Sequence, residues 1–141
     1  MRETHVKNDA TRTLVTKLVP YSKNFARVLV YNGRYNGPPS ETLSFDTPEG
    51  VPGTVTFFAA YPMGSSALYL VWKKPDHPNG ILTGYKIHYQ TVKGTKVGPL
   101  TEREPHITDP KQTRAKLAGL DPNTKYRIYI RGMTKAGEGD E

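Results

Sequence analysis

Four histidines, thirteen carboxylates and twenty lysines and arginines are the side chains with chemistry to offer in this 141-residue sequence. Metal binding shows in a sequence as ligating residues at short, regular spacing. His5, His77, His88 and His106 lie far apart and share no such spacing. Cysteine is absent, which excludes a disulfide framework, a thiol nucleophile and thiolate metal sites. There is no Gly-x-Ser-x-Gly elbow and no complete Gly-x-Gly-x-x-Gly run, and Gly137-Glu-Gly139 reads as a hairpin turn. The scattered Asp and Glu form no recognisable acid/base pair. These residues therefore point away from an enzyme, with no catalytic, cofactor-binding or metal site expected.

What remains is recognition. The net charge is +7 and diffuse: residues 1–48 carry seven basic and four acidic side chains, residues 49–141 thirteen and nine. Spread charge of this kind serves solubility and gives at most a weak affinity for polyanions. Two aromatics, Trp72 and Tyr126, have ring faces suited to stacking a ligand. Both sit on apolar faces at period two, so a core role is the better reading.

The elements that position these residues are short strands. Glycine and proline are scattered between β-branched runs, and nine tyrosines argue against disorder, which together indicate an all-β chain. In Leu68-Tyr-Leu-Val-Trp72, residues 68, 70 and 72 share one face, and Pro75 ends the ladder. Around it fall strands over 55–60, 67–73, 84–90, a looser one near 91–100, then 113–117 and 126–130. Tyr85, Ile87 and Tyr89 share a face, as do Tyr126, Ile128 and Ile130. Trp72, Tyr85, Ile87, Leu120, Tyr126 and Ile128 are the expected core. Lys86 and His88, with Arg127, Tyr129 and Arg131, then point outward.

Earlier in the chain, strands are expected over 11–18, 25–31 and 41–46. In the second of these, Ala26, Val28 and Val30 oppose Phe25 and Leu29. Asn32-Gly33-Arg34 turns the chain, Asn-Gly being favoured in type I′ turns. Thr47-Pro-Glu-Gly-Val-Pro-Gly53 separates two units. An offset of 102 positions lays Thr11, Arg12, Leu18, Pro20, Ser22, Lys23 and Gly37 on Thr113, Arg114, Leu120, Pro122, Thr124, Lys125 and Gly139. Two incomplete copies of one sandwich are therefore expected. Bare strand edges would leave the chain marginally stable, with 41–46 available to fill a vacant edge.

Three features resemble the fibronectin type III family: Trp72 in its strand, Pro78-Asn-Gly80 before Gly84-Tyr-Lys-Ile-His-Tyr89, and Leu120-x-Pro-x-Thr-x-Tyr126. That resemblance implies an immunoglobulin-like β-sandwich in which strands A, B and E face C, C′, F and G, with Tyr126 as a tyrosine corner. Residues 1–48 would be a partial module (strands E, F, G) and 49–141 a module lacking its last strand (A, B, C, C′, E, F). In the first copy Asn24 stands at the corner position. Either Phe25 shifts into the pocket or that copy loses the corner.

Tyr31-Asn-Gly-Arg-Tyr-Asn-Gly-Pro-Pro-Ser40, Phe45-Asp-Thr-Pro-Glu-Gly-Val-Pro52 and His106-Ile-Thr-Asp-Pro110 are similar to tandem modules of neuroglian-like neural cell adhesion molecules. The resemblance implies a fragment of a single-pass receptor outside the cell, acting as spacer and protein-interaction surface in neuronal adhesion and axon guidance. Partners would be other adhesion receptors, homophilic or heterophilic, with no nucleic acid and no membrane contact by this fragment. No apolar run approaches the ~20 residues that span a bilayer, and Met1–His5 is too polar for a secretory signal, so an anchor would lie outside this chain. The alternative is a spacer module of an extracellular enzyme or an intracellular muscle protein. Lys86, His88, Arg127, Tyr129 and Arg131, on the neighbouring strands C and F, form a candidate surface for sulfated glycans or an acidic partner, or else a solvated sheet face. Asn32, Gly33 and Arg34 lie in the loop where some relatives carry Arg-Gly-Asp, and are a candidate loop contact beside their role in reversing the strand.

Overall fold

Alternation of apolar and polar side chains builds this molecule, and the computed structural model shows two units of strands, described for residues 2–7 and 9–141. Met1, part of the polar opening, and Asn8 lie outside the described residues. The chain divides after Thr47, where a boundary after Pro48 was expected. Thr47 belongs to the first unit because its amide donates to the Ser22 carbonyl at 2.9 Å and its hydroxyl donates to the Val19 carbonyl at 2.7 Å.

In the first unit β1 (Lys23–Ala26) pairs antiparallel with β2 (Leu43–Asp46). Ser40 N–H donates to Val28 O, Gly37 N–H to Val30 O and Asn32 N–H to Tyr35 O, so the pairing continues loosely to the tip. Residues 11–18 form no strand, which corrects the expectation there. A strand needs a neighbouring strand to satisfy its backbone, and among the described residues none pairs with that segment. Nor does the expected inward face exist. Phe25 and Ala26 are both exposed, and Val28 is 72% exposed. Asn24 donates its side-chain amide to Ser22 O at 3.1 Å, so the first copy has no tyrosine corner and Phe25 fills no pocket.

The offset of 102 nevertheless recurs in the backbone. Ser22 Oγ donates to Pro20 O at 2.8 Å, and Thr124 Oγ1 donates to Pro122 O at 3.0 Å. Gly37 N–H donates to Val30 O, and Gly139 N–H to Gly132 O. Lys17 and Tyr21 take positive φ, as do Gly119 and Asn123. The same local geometry is written twice. Its burial is not: Ile130, the counterpart of Val28, is 3% exposed.

The second unit contains β3 (Val55–Met63), β4 (Ala67–Pro75), β5 (Gly84–Lys93), β6 (Lys96–Val97), β7 (Thr101–Glu102), β8 (Arg114–Leu117), β9 (Lys125–Thr134) and β10 (Gly137–Glu138). One sheet has the order β3-β4-β8; the other runs β10-β9-β5-β6, with β7 also on β5. β3 extends three residues past its expected end, through Pro62. It lies at a sheet edge, where a residue without an N–H is tolerated. The loose strand near 91–100 resolves into the end of β5, a turn with Gly94 at φ 62°, and the short β6. Gly94 suits the first central position of a type II′ hairpin turn. The bare edge expected after β9 is partly covered, since β10 pairs Gly137 with Thr134 and Glu138 with Met133. The segment 43–46 pairs within its own unit instead.

Between the sheets lie Leu70, Trp72, Tyr85, Ile87, Leu117, Leu120 and Ile130. Trp72 is 1% exposed, and its ring meets Tyr85 edge-on at 5.4 Å and 62°. Ile107, in the stretch between the strands expected near 91–100 and over 113–117, is also buried. It exchanges two backbone hydrogen bonds with Tyr85, at 2.9 and 3.0 Å. At the far corner the Tyr126 hydroxyl accepts the Asp121 N–H at 2.8 Å. Trp72→Ala is expected to destabilise the second unit by about 3–5 kcal/mol, read from chemical denaturation, because a cavity opens where both sheets are least able to close.

Candidate protein-interaction surface

β5 and β9 are each long and alternate through Tyr85–Gln90 and Tyr126–Arg131, so burying one face there leaves the other facing outward. Their register places Lys86 opposite Arg131, His88 opposite Tyr129 and Gln90 opposite Arg127. All five candidate surface residues therefore share one face. The Tyr129 hydroxyl donates to Gln90 Oε1 at 2.9 Å.

The charge of this face differs from the expected basic stripe. Glu138 on β10 accepts from Lys86 Nζ at 2.5 Å and lies 3.3 Å from Arg131. Glu141 meets the same arginine at 2.5 Å, and Glu102 on β7 lies 3.8 Å from Lys86. Four cations, Lys86, Lys125, Arg127 and Arg131, thus share the face with three carboxylates. Lys125 and Arg127 have no ion-pair partner among the described residues. None of these carboxylates was singled out in the sequence, because each reaches its partner across a strand pairing or from the chain's last residues. Glu138 is 52 positions from Lys86. The one sequence signal was the acidic cluster Glu138-Gly-Asp-Glu141.

These pairings move the titrations. The Lys86 ammonium, hydrogen-bonded to Glu138, is held above its usual range, and Arg131 is held up first by its hydrogen bond to Glu141. The Lys86 hydrogen bond holds Glu138 below the ordinary glutamate range, helped by the charges of Lys86, Arg131 and His88. Deeper in, burial pushes the Tyr85 hydroxyl up. The nearby Trp72 indole moderates this without reaching hydrogen-bond geometry.

The expected core residues lie elsewhere. Trp72, Tyr85, Ile87 and Leu120 are buried, and Tyr126 and Ile128 are half-buried against them. Burial closes the Trp72 ring to any stacking ligand. Among the described residues no three His, Asp or Glu side chains gather as a metal would require. The loop candidates Asn32, Gly33 and Arg34 form a turn closed by a side chain. Asn32 Oδ1 accepts from the Arg34 and Tyr35 amides, both at 2.9 Å. Neither Gly33 nor Arg34 takes a positive φ, so the type I′ geometry is not used. The asparagine carboxamide does the capping in its place.

Two sheets with A-B-E and G-F-C-C′ connectivity, a buried strand-B tryptophan and a tyrosine corner define one architecture. Residues 52–141 match the fibronectin type III domain model. The chain belongs to the fibronectin type III domain family. Across all 141 residues it is 61% identical to neuroglian of Drosophila melanogaster. It is 38% identical over 139 residues to neurofascin of Gallus gallus and 34% over 135 residues to neural cell adhesion molecule L1 of Homo sapiens, covering 94% and 96% of this chain. It spans about a tenth of these relatives' length: 11%, 10% and 10%. The FN5 domain of Drosophila Lar superposes with a TM-score of 0.50 at 28% identity, over 64% of this chain and 87% of that one. Domains d3–d4 of rat CD45 give 0.55 at 15% identity, over 99% and 71%, a likeness of fold alone.

Two outcomes follow from the charge pairing. A group whose folded pKa is depressed stabilises the fold above its unfolded pKa, and that contribution is lost as pH falls through the folded value. Carboxyl NMR titration should therefore show Glu138 protonating below free glutamate, with the β9–β10 amides shifting in the same step. On heparin, Arg127→Gln should lower the retention of this fibronectin type III chain more than Arg131→Gln, since only Arg131 is already paired with carboxylates.

Proposed function

We propose that this chain is an extracellular segment of a neural cell-adhesion receptor, in which fibronectin type III modules space and orient neighbouring domains and present protein-binding faces. The observation that carries the reading is the 61% identity to neuroglian, which runs unbroken through both units. A module match alone fits many proteins. Continuous similarity across the Pro/Gly-rich junction fits one tandem arrangement.

The domain reading belongs to the same proposal. Residues 1–48 are the E, F and G portion of one module and 49–141 the next module. The doubled turn geometry supports this, as does the exposure of Val28 where Ile130 is buried. The junction also supports it. Glu49 Oε1 accepts the Ile81 N–H at 2.5 Å, Gly50 N–H donates to Asn79 O, and the Thr134 hydroxyl donates to Gly50 O at 2.7 Å. These bonds fasten residues 49–50 onto the second unit. The partners are other adhesion receptors, like or unlike, and the site of action is the outer face of the plasma membrane.

The test is a full-length receptor carrying this segment, expressed on cells that do not otherwise aggregate. An antibody to residues 49–141 should stain intact cells, and deletion of that module should lower aggregation. Staining that requires permeabilised cells, or aggregation indifferent to the deletion, would overturn the reading.

A further inference from the structure

The outer face of the β3-β4-β8 sheet has the opposite character to the β5–β9 face. Its register places Phe57 opposite Lys73, Tyr61 opposite Tyr69, Tyr69 opposite Lys116, and Val71 opposite Arg114. Directly opposed residues share a face, and the buried members of these strands (Leu70, Trp72, Ala115 and Leu117) point the other way. Phe57 is 45%, Tyr61 52% and Met63 44% exposed. Lys73, Arg114 and Lys116 are exposed too. Lys73 Nζ stands 5.9 Å from the Phe57 ring centre.

No residue of these three strands is acidic. Ion pairs in this unit run through Lys86, Arg131 and Lys135, and among the described residues none involves Lys73, Arg114 or Lys116. A further cation borders the patch: the Arg103 guanidinium donates to Lys116 O at 2.8 Å and Pro105 O at 2.9 Å, capping the free edge of β8. Three exposed cations without an ion-pair partner among the described residues therefore stand together here, beside exposed aromatic and thioether surface.

We infer that this face docks an adhesion partner through a protein surface whose centre is apolar and whose rim carries carboxylates. The inference deepens the proposed function by naming the partner's chemistry, and it rests on that function. Charge complementarity selects the rim, since among the described residues Lys73, Arg114 and Lys116 have no carboxylate partner of their own. It also disfavours the same face of a second copy, which would set cation against cation. The apolar centre distinguishes a protein from a sulfated glycan. A hydrated polyanion gains nothing from covering Met63 or Val71, whereas Phe, Tyr, Met and Arg are the side chains enriched in protein interfaces.

The probe is a set of labelled peptides alternating Leu or Phe with Glu, against counterparts with Lys for Glu, added to the isotopically labelled 141-residue chain. Expected are amide shifts confined to β3, β4 and β8, and no binding of the Lys peptides. Lys73→Glu/Arg114→Glu/Lys116→Glu should weaken binding by about tenfold or more, and Phe57→Ser/Tyr61→Ser to a similar extent. Shifts on the β5–β9 face, equal binding of the Lys peptides or no binding at all would overturn the inference. So would heparin binding that the triple variant abolishes and Phe57→Ser/Tyr61→Ser leaves intact. Loss of aggregation tests the receptor role and peptide mapping tests this face, so each can fail without the other.

Discussion

Burial of Trp72 between two sheets is the constraint on which the second unit depends. An indole offers more apolar surface than any other side chain, and Tyr85, Leu70, Ile87 and Ile130 close around it. Its ring must lie inward, and this fixes the parity of β4. Parity of β4 fixes β3 and β8 through their register, and the need to face Trp72 fixes β5 and β9. A slip of one residue would invert every face at once. The tyrosine corner acts at the other end, where one hydrogen bond from the Asp121 amide to the Tyr126 hydroxyl sets where β9 begins.

Both outer faces are consequences of the same parity, yet they carry different electrostatics. On the β5–β9 face, cations and carboxylates interleave across strands, and Lys86, Glu138, Arg131 and Glu141 form a chain of pairs. Exposed pairs of this kind add little to stability. Their effect is to cancel the field that the lysines and arginines alone would produce. The β3-β4-β8 face has no such cancellation, because no acidic residue falls in its strands. A protein with a net charge of +7 can thus be nearly neutral on one sheet and distinctly basic on the other.

The first unit shows what these local rules achieve without an opposing layer. Turn chemistry survives: Ser22 bonds Pro20 as Thr124 bonds Pro122, and the Asn32 carboxamide holds the tip. The hairpin survives as well. Burial does not, since Val28 and Phe25 alternate correctly and remain in water. Alternation specifies which side chains would enter a core, and the core itself is supplied by a second sheet.

Sequence alone determined the features set by residues close along the chain. These are the strands around Trp72, Tyr85 and Tyr126, the inward faces at period two, the corner, and the repeat at 102 positions, all carried by side-chain parity and turn chemistry. Tertiary structure decided what depends on pairing between distant segments. Ile107 is buried because its backbone bonds to Tyr85, although its neighbours in sequence are polar. Glu102, Glu138 and Glu141 neutralise cations that lie on other strands. Residues 11–18 are not a strand because, among the described residues, no strand pairs with them. Composition counts charges and apolar groups; only register and edges decide which of them meet.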